Sequence, residues 1–354
     1  MRTNLLVMCK LMFLLLIING FWSKIADPHI PFIPALDTFN AYPGFFEWSL
    51  KSLFLISGIG LLFNVKVRTM TLLLGTTVLI IILSSKPLFR NHLFICACAF
   101  ILCGLSSKEK DPWLLYLQLS LVYFGAVINK VGQIDWWNGE FMHNWLLNAR
   151  ENAFYTYVHT LFPERLVAKL LSWSSMGIEF SIGILLFFKR SRNLAVWAIV
   201  IFHTTLFTIT GFRFGHFFED ILIYLLAFLA WPSQEIEINV RSKNAPLMKK
   251  FLTYFDWNKQ FKFRHELSNT STSWLHITYG NQNHNNLDAL SKLILYSPAT
   301  YFLVLFFDSG VKFLFGIYPE HIITAVWLWA GILFLLALKY FKVSKREHVL
   351  TKTK

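Results

Sequence analysis

The stretch LLYLQLSLVYFGAVIN, from Leu114 to Asn129, continues directly into KVGQIDWWNGEFM, which begins at Lys130. The first part is apolar enough for a membrane helix, so Lys130 stands where that helix ends. A lysine at such a position usually extends to the lipid headgroups and anchors the helix. If it turns into the protein instead, burial disfavours the ammonium form, and a neutral amine becomes available as a base. Both interpretations stay open at this point.

The composition places the chain among membrane proteins. Of its 354 residues, 55% are hydrophobic and 17% are aromatic, which is more apolar surface than a soluble fold can cover. A net charge of +13 is also typical of nucleic-acid-binding proteins. The lysines and arginines, however, lie between apolar segments and in the tail, which is the positive-inside pattern. We therefore expect no nucleic-acid partner.

The apolar segments predict an all-α fold, a polytopic integral membrane helical bundle of about 8–10 transmembrane helices with a small extramembrane α+β insert. The first segment resembles a signal peptide but lacks a clear cleavage site, so we predict it to be a transmembrane helix. Ten segments are long enough, or nearly so, to cross a bilayer: 5–22, 45–63, 68–84, 91–105, 113–129, 170–188, 193–210, 216–231, 298–316 and 321–341.

Basic residues in the short loops predict the orientation. With ten spans, the following all fall on the side of the N-terminus: Lys66, Arg68, Lys189, Arg190, Arg192, Lys339, Lys342, Lys345, Arg346, Lys352 and Lys354. The positive-inside rule then places both termini in the cytoplasm. The loop from Lys130 to Lys169 faces the exterior in this topology, and Lys86 and Arg90 are exceptions to the rule.

A polar region follows the eighth segment. Alternation in EIEINV and SWLHITY predicts short strands, and LDALSKLILY predicts a helix. About 65 residues are marginal for an independent fold, so we expect this insert to pack on the membrane body. The predicted domains are a transmembrane domain at 1–232, the insert at 233–297, a helix pair at 298–342 and a basic tail at 343–354.

Several common types of site have no counterpart in the sequence. The four cysteines, Cys9, Cys96, Cys98 and Cys103, all lie within predicted helices and lack the spacing of a CxxC or zinc site. We interpret them as small packing residues. GxSxG, HExxH and P-loop patterns do not occur either, which disfavours a serine hydrolase, a zinc protease and an ATPase. No metal is expected.

Ionisable and polar groups at membrane depth are the remaining candidates for a site, because they are costly in hydrocarbon. Asn91 and His92 begin the fourth segment, Glu179 and His203 lie near the middle of the sixth and seventh, and Glu219 with Asp220 begin the eighth. Glu179 and His203 are equally compatible with hydrogen bonds between helices. We predict that Glu179 is hydrogen-bonded within the bundle and does not face lipid, because an unpartnered carboxyl group at that depth is costly. Two further pairs, Glu47 with Lys51 and Asp308 with Lys312, are spaced i,i+4 and predict local ion pairs.

The order of these motifs resembles that of vitamin K-dependent gamma-glutamyl carboxylases. YFGAVINKVGQIDWWNGEFM, from Tyr123 to Met142, is similar to the family segment in which a tyrosine-phenylalanine pair precedes a lysine. FRNHLF resembles the family's asparagine-histidine pair. IGILLFFKRSRNLAVWAIVIFHTTLFTITGF resembles its helix, basic turn and next helix with a phenylalanine-histidine pair. The likeness covers roughly residues 45–232, and the wider grouping is the horizontally transferred transmembrane (HTTM) domain superfamily.

The resemblance implies a chemistry for these residues. Lys130 would deprotonate a reduced naphthoquinone similar to vitamin K, with Asn91, His92 and His203 in the same cavity, so that the anion reacts with dioxygen in a dry pocket. Candidate substrate-binding residues are Trp136, Trp137, Phe141, Trp145 and Glu179. The quinone would enter from the membrane lipids. The small size is typical of bacterial members, which indicates the bacterial inner membrane.

Two departures from the carboxylases keep a second function open. Only about 65 polar residues stand where the carboxylases carry a large region that binds the protein substrate and its propeptide, so protein carboxylation does not follow from the resemblance. WLHITYGNQNHNNLDALSKLILYSPATYFLVLFF faintly resembles a thiol-disulfide oxidoreductase-like DCC domain, but without its cysteine pair. The alternative is a non-catalytic accessory protein for the maturation, export or immunity of a secreted peptide toxin.

Overall fold

The computed structural model describes residues 1–108, 110–163, 165–210, 217–232, 234–240, 245–254, 256–257, 259–264 and 273–306. These residues are mostly helical, as predicted, with a small sheet in the C-terminal part. The α-helices are α1 Thr3–Ile18, α2 Phe45–Leu62, α3 Val67–Leu83, α4 Asn91–Leu105, α5 Trp113–Val131, α6 Ile134–Trp137, α7 Glu140–Asn144, α8 Ala153–Val158, α9 Leu166–Phe187, α10 Arg192–Ile209, α11 Phe217–Tyr224, α12 Ala245–Tyr254, α13 Asn286–Tyr296 and α14 Pro298–Leu305.

Among the described residues, four helices are long and apolar enough to cross a membrane, namely α2, α5, α9 and α10. Three further apolar helices, α1, α3 and α4, are shorter. The eighth predicted segment is not one long helix, because α11 ends at Tyr224 and a 3₁₀ turn, Leu225–Phe228, follows it. Most of the last two predicted spans, with the Asp308 and Lys312 pair, lie outside the described residues.

Two compact units divide the described chain, and the first comprises residues 1–110 and 229–306. Helix α1 has no distinct polar face, and α2, α4 and α14 pack against it. Phe54 of α2 joins Phe13 and Phe21, with ring centroids 5.3 and 5.5 Å apart. Helices α2, α3 and α4 pack one after another because their connections are short.

The insert of the first unit contains a four-stranded sheet in the order β2-β1-β3-β4. Its strands are β1 Ile236–Val240, β2 Phe261–Phe263, β3 Leu275–Tyr279 and β4 Gln282–Asn285. Strand β1 is parallel to β2 and antiparallel to β3, which is antiparallel to β4. The predictions of strands in EIEINV and SWLHITY and of a helix in LDALSKLILY are confirmed, because alternate residues of β1 are buried and α13 packs on β3.

The second described unit comprises residues 111–228, and α5 packs along α9 at its centre. Ser120 of α5 donates a hydrogen bond to the carbonyl oxygen of Gly183 on α9, at 2.6 Å. A Cβ at Gly183 would lie 2.9 Å from the ring of Phe124, so glycine permits this close approach. Helix α10 packs on α9, and the short helices α6, α7 and α8 connect α5 to α9.

Candidate functional site

Lys130 lies in the last turn of α5 and turns into the second unit. Its ammonium group forms an ion pair and hydrogen bond with Glu179 of α9, and only 15% of the lysine side chain is exposed. The same nitrogen donates to Ser175 Oγ at 3.4 Å and lies 4.6 Å from the ring centroid of Trp136. Of the two interpretations of this lysine, the structure therefore shows the inward one.

The spacing of polar residues on α9 explains how the partner of Lys130 is positioned. Ser172, Ser175 and Glu179 follow one another at intervals of three and four, so they share one face of the helix. All three are buried, and this face packs against α5. The prediction that Glu179 is hydrogen-bonded within the bundle is confirmed by its bond from Lys130.

His203 of α10 contacts α5 at a second position, Tyr123. Its Nε2 atom shares a 2.7 Å hydrogen bond with the hydroxyl of Tyr123, and both side chains are almost completely buried. Tyr123 precedes Lys130 by seven residues, two turns of α5, and therefore lies on the same face of the helix. Tyr123 and Lys130 thus bring their partners, His203 of α10 and Glu179 of α9, to one face of α5. The four side chains form one polar site inside the second unit.

A glycine positions the loop that carries Trp136. Gly139 has φ of +75°, a left-handed conformation that favours glycine, and a Cβ there would lie 2.6 Å from the backbone nitrogen of Lys169. The loop can approach the start of α9 this closely because no side chain intervenes. Trp173 Nε1 of α9 also donates to the carbonyl oxygen of Trp137, at 3.1 Å. Trp136 is thereby held beside Lys130.

The predicted substrate-binding aromatics form two groups. Trp136, Phe141 and Trp145 stack in series, with successive ring centroids 4.4 and 6.3 Å apart. Trp136 is buried, whereas Phe141 and Trp145 are half-buried. Trp137 is 45% exposed, and its Nε1 donates to the carbonyl oxygen of Val131. Only Trp136 of these four residues contacts Lys130 among the described ring contacts.

Asn91 and His92 belong to the first unit. Asn91 is exposed and begins α4, and His92 is half-buried beside it. The predicted convergence of His92 with Lys130 and His203 in one cavity stays a prediction.

Sequence reasoning did not select Tyr123 and Ser175 as site residues. Their spacing in the sequence nevertheless indicated them, because Tyr123 is two helical turns from Lys130 and Ser175 is one turn from Glu179. What the sequence did not contain was the alignment of α5 with α9 and α10.

A second polar cluster lies on the connection between α5 and α9. His143 Nδ1 and the hydroxyl of Tyr155 are hydrogen-bonded at 2.8 Å, and the ring of His159 stacks on His143 at 5.4 Å. Burial lowers the pKa of His143, with Arg165 and His159 adding to the decrease and Glu140 opposing it. Burial also raises the pKa of Tyr155. The neutral forms of both side chains are therefore favoured.

The comparisons with known proteins agree with this architecture. The model of the HTTM domain family matches residues 12–228. No curated protein and no solved structure matches the chain. The matched range covers all of the polar site and more than half of the 354 residues. The chain is an integral membrane protein that belongs to the HTTM domain family.

Proposed function

We propose that this protein is a membrane enzyme similar to the vitamin K-dependent carboxylases, in which Lys130 accepts a proton from a reduced quinone. The observation that carries the proposal is the inward position of Lys130, which pairs with a buried carboxylate and contacts Trp136. An anchoring lysine would extend to the headgroups instead.

The side chains of the site fit a group of this kind. A hydroquinone is a flat, apolar ring with two hydroxyl groups, and when bound it supplies the electrons that reduce dioxygen. The Lys130–Glu179 and Tyr123–His203 pairs provide both hydrogen-bond donors and acceptors. Trp136 and Phe141 provide aromatic surface beside them. We infer that these residues bind the ring and its hydroxyls.

Glu179 has a defined part in this proposal. An ammonium cannot accept a proton, so Lys130 must first be neutral. Glu179 can take that proton through their hydrogen bond, and a neutral amine–carboxylic acid pair avoids the cost of two charges in a dry site. The amine then accepts the hydroxyl proton and becomes an ammonium. Glu179 is thus a proton acceptor for Lys130, and Tyr123 with His203 stabilises the charge that remains on the bound oxygen.

The Lys130–Glu179 ion pair also supports a second candidate function. An ion pair between α5 and α9 ties two helices together, which is a common use of polar residues in bilayers. In that case the protein has no quinone chemistry. It is then an accessory protein for the maturation, export or immunity of a secreted peptide toxin. The two candidates differ in whether position 130 needs a proton acceptor or only a positive charge.

The proposed location is the bacterial inner membrane with both termini in the cytoplasm. The support for this orientation is the distribution of basic residues in the short connections, such as Lys66 and Arg68 before α3 and Lys189 and Arg190 before α10. In this orientation the connection from α5 to α9 faces the exterior. The polar site then lies toward the exterior side of the membrane, where a secreted substrate would be reached.

The Lys130→Arg variant separates the two candidates. Arginine retains the positive charge and can still pair with Glu179 and Trp136, but it cannot give up its proton to become a base. We expect the variant to fold like the wild type. We expect it to lose quinol-dependent oxygen consumption by about a hundredfold or more in purified protein reconstituted into vesicles.

Lys51→Arg is the matched control, because Lys51 is a similarly buried lysine paired with a glutamate. It should retain full activity. The catalytic proposal is wrong if the Lys130→Arg variant is fully active, or if the wild type consumes no oxygen with any reduced naphthoquinone. A double variant, Lys130→Met with Glu179→Gln, removes both charges together. It tests the same loss of oxygen consumption without leaving a buried carboxylate unpaired.

A further inference from the structure

Ser172 of α9 is a completely buried residue whose hydroxyl group lacks a hydrogen-bond partner among the described residues. The residue is 0% exposed, so water does not reach the hydroxyl from outside. A buried hydroxyl without a partner is costly, because it has lost its bonds to water and gained none in the protein. Such a group in a folded protein therefore requires an explanation.

Three other buried hydroxyls within helices show the usual arrangement. In Ser57, Thr71 and Thr77, the Oγ atom donates to the carbonyl oxygen four residues earlier, at 2.6 to 2.7 Å. A serine within a helix can usually make this bond to its own backbone. For Ser172 the corresponding acceptor is the carbonyl oxygen of Ala168, and this bond is not formed. The Ser172 hydroxyl is therefore available to a ligand.

The position of Ser172 on α9 places it next to Lys130. Ser172 precedes Ser175 by three residues, so the two serines lie about one turn apart on the same face of the helix. Ser175 Oγ is the atom to which Lys130 Nζ donates at 3.4 Å. Met176, four residues after Ser172, belongs to the same buried cluster as Trp136, the tryptophan beside Lys130. Ser172 thus extends the polar site by one turn, toward the start of α9.

A 1,4-hydroquinone matches two polar groups that are separated in this way. Its two oxygens lie at opposite ends of one flat ring, so the group that binds one oxygen does not reach the other. Three residues of an α-helix advance by about 4.5 Å, which is comparable to the length of such a ring. A serine hydroxyl can accept from a hydroquinone hydroxyl and donate to a quinone carbonyl oxygen, so it suits both oxidation states.

We propose that Ser172 binds the second oxygen of the quinol whose first hydroxyl faces Lys130. The inference rests on the proposed function, because it takes a quinol as the ligand of this site. A ring with its oxygens in the 1,4 arrangement reaches both Lys130 and Ser172, whereas oxygens on adjacent carbons, as in a 1,2-quinone, reach only one of them. Ser172 is thus a binding and specificity residue, and it takes no part in proton transfer.

Binding of the oxidised ring tests this role without requiring turnover. 1,4-Naphthoquinone is titrated into the purified full-length protein in detergent, and quenching of tryptophan fluorescence reports the bound fraction. Ser172→Ala should weaken this binding by about tenfold, the loss expected for one hydrogen bond. 1,2-Naphthoquinone should bind the wild type and the Ser172→Ala variant with the same affinity.

Ser57→Ala is the matched control, because Ser57 is an equally buried serine whose hydroxyl donates within its own helix. It should leave the affinity for both quinones unchanged. Thermal unfolding without ligand separates binding from structure. Ser172→Ala should unfold at the temperature of the wild type or above it, because it removes an unpartnered buried hydroxyl. A lower unfolding temperature would show that the hydroxyl stabilises the protein itself, and the proposal would be wrong.

The binding results can overturn the proposal in three further ways. It is wrong if Ser172→Ala binds 1,4-naphthoquinone like the wild type, or if the wild type binds no naphthoquinone. It is also wrong if Ser57→Ala, or binding of 1,2-naphthoquinone to Ser172→Ala, is weakened to the same extent, since the site would then have changed only in general shape.

Failure of the proposed function is seen separately. Binding that depends on Ser172, in a protein that consumes no oxygen, would support the quinone site and remove the catalytic role of Lys130. Conversely, oxygen consumption that Lys130→Arg abolishes, with a KM that Ser172→Ala leaves unchanged, would support the function and exclude Ser172 from the site.

Discussion

Two ion pairs in this molecule each join a lysine to a glutamate, but one lies within a single helix and the other connects two helices. Lys51 pairs with Glu47 within α2, and Lys130 pairs with Glu179 across α5 and α9. The two lysine side chains are similarly buried, at 12% and 15% exposure, and each nitrogen lies near a tryptophan ring. The carboxylates differ, because Glu47 is 28% exposed and Glu179 only 9%.

This difference separates a local pair from a tertiary one. The i,i+4 pair forms wherever α2 forms, and it can exchange its protein contacts for water or headgroups. The pair between α5 and α9 exists only in the folded unit, and each charge depends on the other for compensation. The tertiary pair is therefore the one whose removal should affect both folding and chemistry.

Replacing each lysine with alanine should give the largest difference in stability between the two pairs. Lys130→Ala leaves Glu179 buried without its partner and should lower the free energy of unfolding by about 3–5 kcal/mol. Lys51→Ala should lower it by about 0.5 kcal/mol, as for an ordinary i,i+4 pair. Thermal unfolding in detergent, followed by tryptophan fluorescence, measures both. A second substitution, Glu179→Gln, should recover most of the loss in Lys130→Ala. Equal effects of the two alanine variants would remove the distinction.

The loop beside the tertiary pair gives the next largest effect. Gly139→Ala places a side chain in a left-handed conformation, with its Cβ 2.6 Å from the backbone of Lys169. We expect a loss of about 1–3 kcal/mol in the free energy of unfolding. Gly132→Ala is the control, because its nearest contact would be 3.6 Å away. A Gly139→Ala variant as stable as the Gly132→Ala variant would show that this loop is not held against α9 as described.

The tryptophans near the two lysines give a smaller contrast. Trp136 is 7% exposed and lies 4.6 Å from Lys130 Nζ, whereas Trp48 is 62% exposed and lies 5.2 Å from Lys51 Nζ. A desolvated cation–π contact is worth more than an exposed one. Trp136→Leu should therefore reduce the free energy of unfolding by about 1 kcal/mol more than Trp48→Leu. The same unfolding measurement compares them, and the reverse order would contradict the burial of the Lys130 site.

The two pairs also show which parts of the fold and site follow from sequence. Glu47 and Lys51 were predicted as a pair from spacing alone, and the alternation of β1 is likewise a local signal that the structure confirms. Glu179 was predicted to need a partner, but its identity required the packing of α5 on α9. The Tyr123–His203 bond depends on α10 in the same way.

Two elements of the structure go beyond what their local sequence indicates, and both have physical causes. The segment 216–231 has the composition of a membrane span, and residues 220–229 are indeed buried. They nevertheless form a short helix and a 3₁₀ turn, because an apolar run does not specify whether lipid or protein covers it. Helix α12 was not predicted, since its sequence APLMKKFLTY is mixed and lacks a long apolar run.

The smallest expected effect is a pH dependence located beside the tertiary pair. Burial, Arg165 and His159 lower the pKa of His143 below its ordinary value of 6.5, against the opposing effect of Glu140. The folded state therefore favours neutral His143, and this contribution to stability is present above pH 6.5 and is lost as the pH falls below that value. We expect unfolding temperatures to decrease on acidification, and to decrease less in His143→Gln. His29→Gln, in the first unit, is the control and should follow the wild type. A His143→Gln variant with the same pH profile as the wild type would place the acid sensitivity elsewhere, and the loop beside Lys130 would then be no more sensitive to protonation than the region around Lys51.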